Sequence, residues 1–166
     1  MPWSDIRKRA DSFRQSLRLE SEPFFPIVQV LEEVLDPHVI SFEIGSVDEM
    51  PGILGETCPH GEFIRLREDV YEDALGGQGR ARFTAAHELG HFDLHAGSSL
   101  KRVQDGDELP AFRCVEKQAN QYAAELLMPV QFFSPNDTVD DVIDRHGVSR
   151  MAARFRLDYL WRKRLI

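Results

Sequence analysis

Cysteine is scarce in this chain of 166 residues: Cys58 and Cys114 are too few and too far apart for a disulfide framework, which points to a reducing compartment. Long apolar runs are missing too. No stretch approaches the ~18 residues a membrane span requires, and the opening MPWSDIRKRADSF has basic residues with no apolar segment behind them, so neither an anchor nor a secretory leader is expected. There is no internal repeat and no low-complexity tract, which excludes solenoids and disordered arrays. Positive charge is in deficit, with 20 Lys and Arg against 28 Asp and Glu. The resulting net charge of -8 argues against broad attraction to phosphate backbones. These absences together predict a cytoplasmic, membrane-free protein in which direct nucleic-acid binding is not the expected activity.

What is present suits a soluble globular domain. Hydrophobic residues make up 42% and charged ones 29%, and a chain of this length buries roughly 70% of its unfolded surface without needing a staple. Charge is unevenly placed. From Arg145 onward seven basic residues face one acid, Asp158, leaving -14 on the first 144 residues. A basic C-terminal face could meet an acidic partner or nucleic acid, but packing against the acidic body of the same chain is the simplest expectation.

Periodicity predicts an α+β order of elements. Ile6, Ala10, Phe13 and Leu17 fall at helical spacing in residues 4–19, with Ser4 available as an N-cap. A second helix, IVQVLEEVL, is expected to end before Pro37. HVISFEIGSV, GILGE and EFIRLRE read as three strands, the last with Phe63 and Leu66 out of strict alternation. EDVYEDAL predicts a short helix and GGQG a turn. A helix from about Arg82 to His95 follows, stopped by Gly97, then a long polar loop over 98–112. The run CVEKQANQYAAELLMP carries one apolar stripe (Val115, Ala119, Tyr122, Ala123, Leu126) closed by Pro129. Two short helices, VDDVIDRHG and SRMAARFRLDYLWRKRL, complete the chain. Residues 1–130 are read as the principal domain and 131–166 as a helical, helix-turn-helix-like extension packed on it.

The chemistry concentrates in RARFTAAHELGHFDLHAG, residues 80–97. Residues four apart stand one turn above each other on a helix, so His87 and His91 can aim imidazole nitrogens at one ion at roughly 2.0 to 2.1 Å. Glu88, about 100° round the helix, can serve a water as general base without itself ligating the ion. Two neutral imidazoles leave Zn2+ strongly Lewis acidic, which suits hydrolysis. His95 faces the same way, but its Cα lies about 12 Å along the axis from that of His87, too far for one tetrahedral ion. It is expected to cap the helix or border the cleft, and Asp93 to be an exposed acid. Position 97, where a third imidazole would complete a longer histidine pattern, holds Gly97.

A carboxylate from the second helix remains. Glu116 is favoured as third ligand, with Asn120 one turn on to orient a histidine through a hydrogen bond. Glu125, near the Pro129 end, is the competing choice. Tyr122 and His60 are weighed as proton donors to an oxyanion; Tyr122 at a stripe position reads as core, and Cys58 with His60 lacks further ligands for a second metal. Gly90 inside the helix points to close approach by another backbone, and Met128 to the core.

RFTAAHELGHFDLH followed by EKQANQYAAELLMP resembles the ImmA/IrrE family of zinc metallopeptidases, whose members carry R-F-T-x-A-H-E-x-G-H-x-x-x-H and then E-x-x-A-N-x-F-A-A-x-L-L-M-P. Tyr122 stands where the family usually has Phe. HGVSRMAARFRLDYL is similar to the family's ending, although no long C-terminal sensor domain follows, so a stress-sensing role is not expected. The resemblance implies His87, His91 and Glu116 as metal ligands, Glu88 as catalytic base, and Zn2+ as cofactor. It also implies a zincin-like metallopeptidase fold, α+β, with a short twisted sheet, an HExxH active-site helix and a downstream glutamate-bearing helix. The implied function is a zinc-dependent endopeptidase that cleaves or inactivates a protein partner, an Xre-type helix-turn-helix repressor or an antitoxin. On that fold FIRLR is read either as the edge strand that holds an extended peptide or, equally, as an ordinary strand with a polar outer face. Two other readings stay open. One is a DNA-binding regulator, with Arg150, Arg154 and Arg156 presented by the last helix. The other is a module that retains zinc without cutting.

Overall fold

The computed structural model describes residues 1–34, 40–96 and 114–166. Seven helices and three strands lie among these residues. They run α1 (Trp3–Ser16), α2 (Ile27–Gln29, continued by a π-helical turn over Val30–Val34), β1 (Ser41–Gly45), β2 (Gly55–Thr57), β3 (Phe63–Arg67), α3 (Glu68–Leu75), α4 (Gly79–His95), α5 (Val115–Leu127), α6 (Val139–His146) and α7 (Arg150–Arg162). The end of the second predicted helix, the Gly97 stop and the 98–112 loop lie outside the described residues. No helix among the described residues is long and apolar enough to cross a membrane.

Helix α1 begins one residue before Ser4, after an extended Pro2, so the expected cap is corrected: Ser4 sits inside the first turn and its hydroxyl reaches Asp5. Proline can precede a helix without cost because the first amides have no intrahelical acceptor in any case. Ile6 and Ala10 are buried as their spacing predicts, and Arg14 is buried beside them. Its guanidinium donates to the carbonyls of Leu126, Leu19 and Glu22, and burial pulls its pKa down to about 10.

The sheet order is β1-β3-β2, with β1 parallel and β2 antiparallel to β3. FIRLR is therefore the central strand and is paired on both sides, which overturns its reading as a peptide-binding edge. Its alternation is regular after all: Ile64 and Leu66 are buried, while Phe63, Arg65 and Arg67 are half-buried on the other side. On that outer face Arg65 bridges Glu43 and Glu56, tying all three strands through charge-assisted hydrogen bonds. β2 is an edge, and it lies against α4.

The C-terminal helices share the central core. Val142, Val148, Ala153 and Leu157 belong to the same buried cluster as Ile6, Phe25 and Leu126. Thr138 and Asp141 form a reciprocal capping box at the start of α6, and Gly147 ends it in the left-handed conformation that only glycine adopts freely. Arg82 of α4 donates to the Gly147 and Phe25 carbonyls at 2.9 Å, fastening this turn to the body. Arg156 is a second correction. It does not face outward but is buried, with Nη2 2.5 Å from Glu125 Oε2 and Nε donating to the Met128 carbonyl. Half-buried Arg7 of α1 is the second cation on Glu125. Removing Arg156 leaves the buried Glu125 carboxylate with the half-buried Arg7 in place of a buried cation. Arg156→Met is expected to cost about 3 to 5 kcal/mol in urea unfolding, whereas exposed Arg154→Met should change stability by less than about 0.5 kcal/mol.

His146 is fully buried, stacked on Phe133, with Nδ1–H donating to the Pro23 carbonyl at 2.9 Å. Burial lowers its pKa from 6.5 to about 4. A neutral imidazole is thus required in the folded state, and stability is complete above pH 6.5 and lost as pH falls through the window from 6.5 to about 4. The loss at full protonation is about 3 kcal/mol. His146→Gln, which keeps a donor but cannot titrate in this range, should flatten the fall between pH 6.5 and 4 when urea midpoints of the two proteins are compared.

Candidate metal centre

Helices α4 and α5 can approach closely because position 90 has no side chain. A Cβ there would stand 3.1 Å from the Ala119 carbonyl oxygen and 3.1 Å from the Tyr122 ring. Ala85, Ala86, Ala119 and Ala123 are fully buried around the crossing. The result lays the first turn of α5 beside the outward face of α4, and Glu116 reaches the two histidines one turn apart.

His87 Nε2 and His91 Nε2 are 3.0 Å apart, His87 Nε2 lies 3.4 Å from Glu116 Oε2, and His91 Nε2 lies 3.4 Å from Glu116 Oε1. Around a tetrahedral ion with bonds of 2.0 to 2.2 Å, neighbouring donor atoms are about 3.3 Å apart. The two glutamate distances run to different oxygens, so each ring faces its own carboxylate oxygen at close to that spacing, and these three residues could hold a metal. The Nδ1–H of His87 donates to Asn120 Oδ1 at 3.0 Å, which leaves the Nε2 lone pair facing the other two donors. Burial lowers the pKa of His91, and His87 beside it adds to the effect while Glu116 opposes it. A neutral ring is the form a metal needs.

Glu88 is not among the converging donors. Its carboxyl is buried and turned toward β2, where Thr57 Oγ1 lies 2.8 Å from Oε2 and 2.9 Å from the Glu88 backbone carbonyl. Burial raises its proton affinity above the ordinary carboxylate range, opposed chiefly by the Thr57 hydrogen bond. Such a group, buried next to a donor cluster, is suited to taking a proton from water.

The remaining candidates separate cleanly. His95 is not one of the three donors; it bonds the backbone at Val115, joining the end of α4 to the start of the glutamate helix. Glu125 is occupied by Arg156 and Arg7. Asp93 is corrected from an exposed acid to the half-buried partner of a bidentate Arg9, at 2.9 and 3.0 Å. Tyr122 is fully buried against Gly90 and is core. His60 is exposed on the Cys58–Gly61 turn, and Cys58 contacts Glu62; neither belongs to a metal-holding group among the described residues.

Residues 58–158 match the IrrE N-terminal-like domain of the Peptidase_M78 family, well over half of the chain. The chain belongs to the ImmA/IrrE family of metallopeptidases. That span holds both helices of the donor cluster and continues across residue 130 into α7. Comparison with curated proteins and with solved structures returned no match. Thr57, outside the matched span, has no sequence signature, since nothing in a short strand says which acid its hydroxyl will meet.

Metal titration tests this centre directly. Zn2+ affinity, measured by competition with a chromophoric chelator, is expected to fall at least ~100-fold for His87→Ala, His91→Ala and Glu116→Ala. Asn120→Ala should lose about 10-fold, and Glu88→Gln should bind as wild type.

Proposed function

We propose that this ImmA/IrrE-family protein is a cytoplasmic, zinc-dependent endopeptidase with a zincin-like site, acting on a protein partner. The observation that supports it most strongly is the convergence of the His87, His91 and Glu116 donors beside a buried Glu88. Zn2+ bound there would supply Lewis acidity at neutral pH. His87, His91 and Glu116 hold it, and Asn120 keeps the His87 ring in the ligating tautomer. Glu88 takes a proton from the attacking water and delivers it to the departing amide nitrogen. The Thr57 hydroxyl has one proton and two acceptors, the carboxyl and carbonyl of Glu88, so it can stay bonded to this residue as the carboxyl gains and loses that proton.

The peptide is read as lying along β2. This strand pairs with β3 on one side, and among the described residues no strand pairs with its other edge, which could take an extended chain by backbone pairing, the part expected of FIRLR. Exposed Ile53 and Leu54 precede it and offer an apolar rim. The family resemblance supports an Xre-type helix-turn-helix repressor or antitoxin as the substrate class. The DNA-binding alternative is disfavoured by the tail: Arg156 is buried, and Arg150 is paired with Asp140.

The test is incubation of zinc-loaded protein with Xre-type repressors, any product of a neighbouring gene first, followed by mass spectrometry. Expected is a defined pair of fragments with wild type, lost with chelator and reduced more than ~100-fold in Glu88→Gln although zinc is retained. An intact repressor that is nonetheless bound by both proteins would support the zinc-retaining binding module and overturn the peptidase.

A further inference from the structure

Glu88 meets β2 in two independent ways. The first is the Thr57 hydroxyl, at 2.8 Å from Oε2. The second is Gly55, two residues earlier and on the same side of the strand. A Cβ at Gly55 would fall 2.8 Å from Glu88 Cγ and 3.3 Å from its Cδ, with Leu66 Cδ2 at 3.0 Å behind it. The backbone at Gly55 is not left-handed, so conformational need does not explain glycine there. Within a strand, where glycine packs poorly, such a residue marks close approach by another group. Here that group is the Glu88 side chain.

We propose that β2 is a jig for Glu88, with Gly55 and Thr57 as positioning residues for its carboxylate: the missing side chain opens the slot and the hydroxyl sets the depth. The inference rests on the peptidase reading for its functional consequence, though not for its geometry. A glutamate has three rotatable bonds, and a general base must lie within ~2.6 to 3.2 Å of the proton it takes. Misplacement by about 1 Å can cost ~100-fold in rate. A short strand pinned along its length to β3 is a rigid support for such a group. The jig also keeps the carboxylate away from the donor cluster, so that it serves as base and does not become a further ligand.

Three variants test it: Thr57→Val, Thr57→Ser and Gly55→Ala. High-resolution crystal structures should show the Glu88 carboxyl moved by about 1 Å or more in Thr57→Val and Gly55→Ala, with His87, His91 and Glu116 in place, and unmoved in Thr57→Ser. Zn2+ affinity should stay within ~3-fold of wild type in all three, because the ligands are untouched. On the repressor, kcat should fall ~10-fold in Thr57→Val and ~100-fold in Gly55→Ala with KM little changed, while Thr57→Ser restores it to within ~3-fold. A carboxyl that stays in place in both disruptive variants overturns the proposal, as does loss of Zn2+ affinity parallel to the loss of rate, which would mean general disruption. If wild type cuts nothing, the peptidase reading fails, and the crystal structures still decide whether β2 positions Glu88.

Discussion

The close crossing of α4 and α5 at Gly90 is the constraint on which the site depends. Glycine inside a helix costs about 1 kcal/mol against alanine, a cost tolerated where another backbone must approach. The approach here is to the Ala119 carbonyl, at a distance a methyl group would make prohibitive without movement. Ala119 lies three residues after Glu116 and one before Asn120. One crossing therefore delivers a ligand to both imidazoles and a hydrogen-bond acceptor to the back of one of them. Widening it by the radius of a side chain would remove both together, since Glu116 stands only 3.4 Å from either ring and Asn120 3.0 Å from His87.

Much of this was legible because it is local. The four-residue histidine spacing, the stripe on α5 and the glycine within α4 are properties of single helices, and a helix's geometry carries them into space without further information. Glu116 could be preferred over Glu125 from its place on one helix relative to Asn120. The corrections fall where a partner lies far away in sequence. Nothing near Asp93 announces Arg9, and nothing near Arg156 announces Glu125. Packing of the basic tail on the acidic body is expected from composition, but composition does not say which arginine meets which acid. FIRLR reads equally well as an edge or a central strand, because alternation reports which face is buried and not how many neighbours a strand has. Ser4 failed as a cap for a smaller reason: Pro2 can open a helix too.

The C-terminal helices illustrate the same limit at larger scale. Their composition separates them from the acidic body, yet their buried residues join the central core, and Arg82, His146 and Arg156 each reach across to carbonyls or carboxylates of earlier elements. The basic surplus at the end of the chain is thus partly neutralised within the chain itself, by Glu125 in the core, by half-buried Asp137 and by Asp140 on the surface.

Three glutamates on two helices show how environment assigns roles to one side chain. Glu125 is fully buried and held below the ordinary carboxylate range by Arg156 and Arg7 despite the opposing effect of burial, so it is a permanent anion that locks α1, α5 and α7 together. Glu116, nine residues earlier, is exposed on the first turn of α5, where the positive end of the helix dipole favours a carboxylate. Its neighbours are two imidazoles that attract it fully only when an ion or a proton joins them, which makes it a ligand in waiting and not a structural anion. Glu88 is buried with a hydroxyl and no cation bonded to it, and its affinity for a proton rises accordingly. A carboxylate in the first setting cannot release its partners, one in the second is drawn to a cation, and one in the third is ready to accept a proton. The three settings suit a structural anion, a metal ligand and a proton acceptor in turn, and exchanging any two of the environments would undo that match.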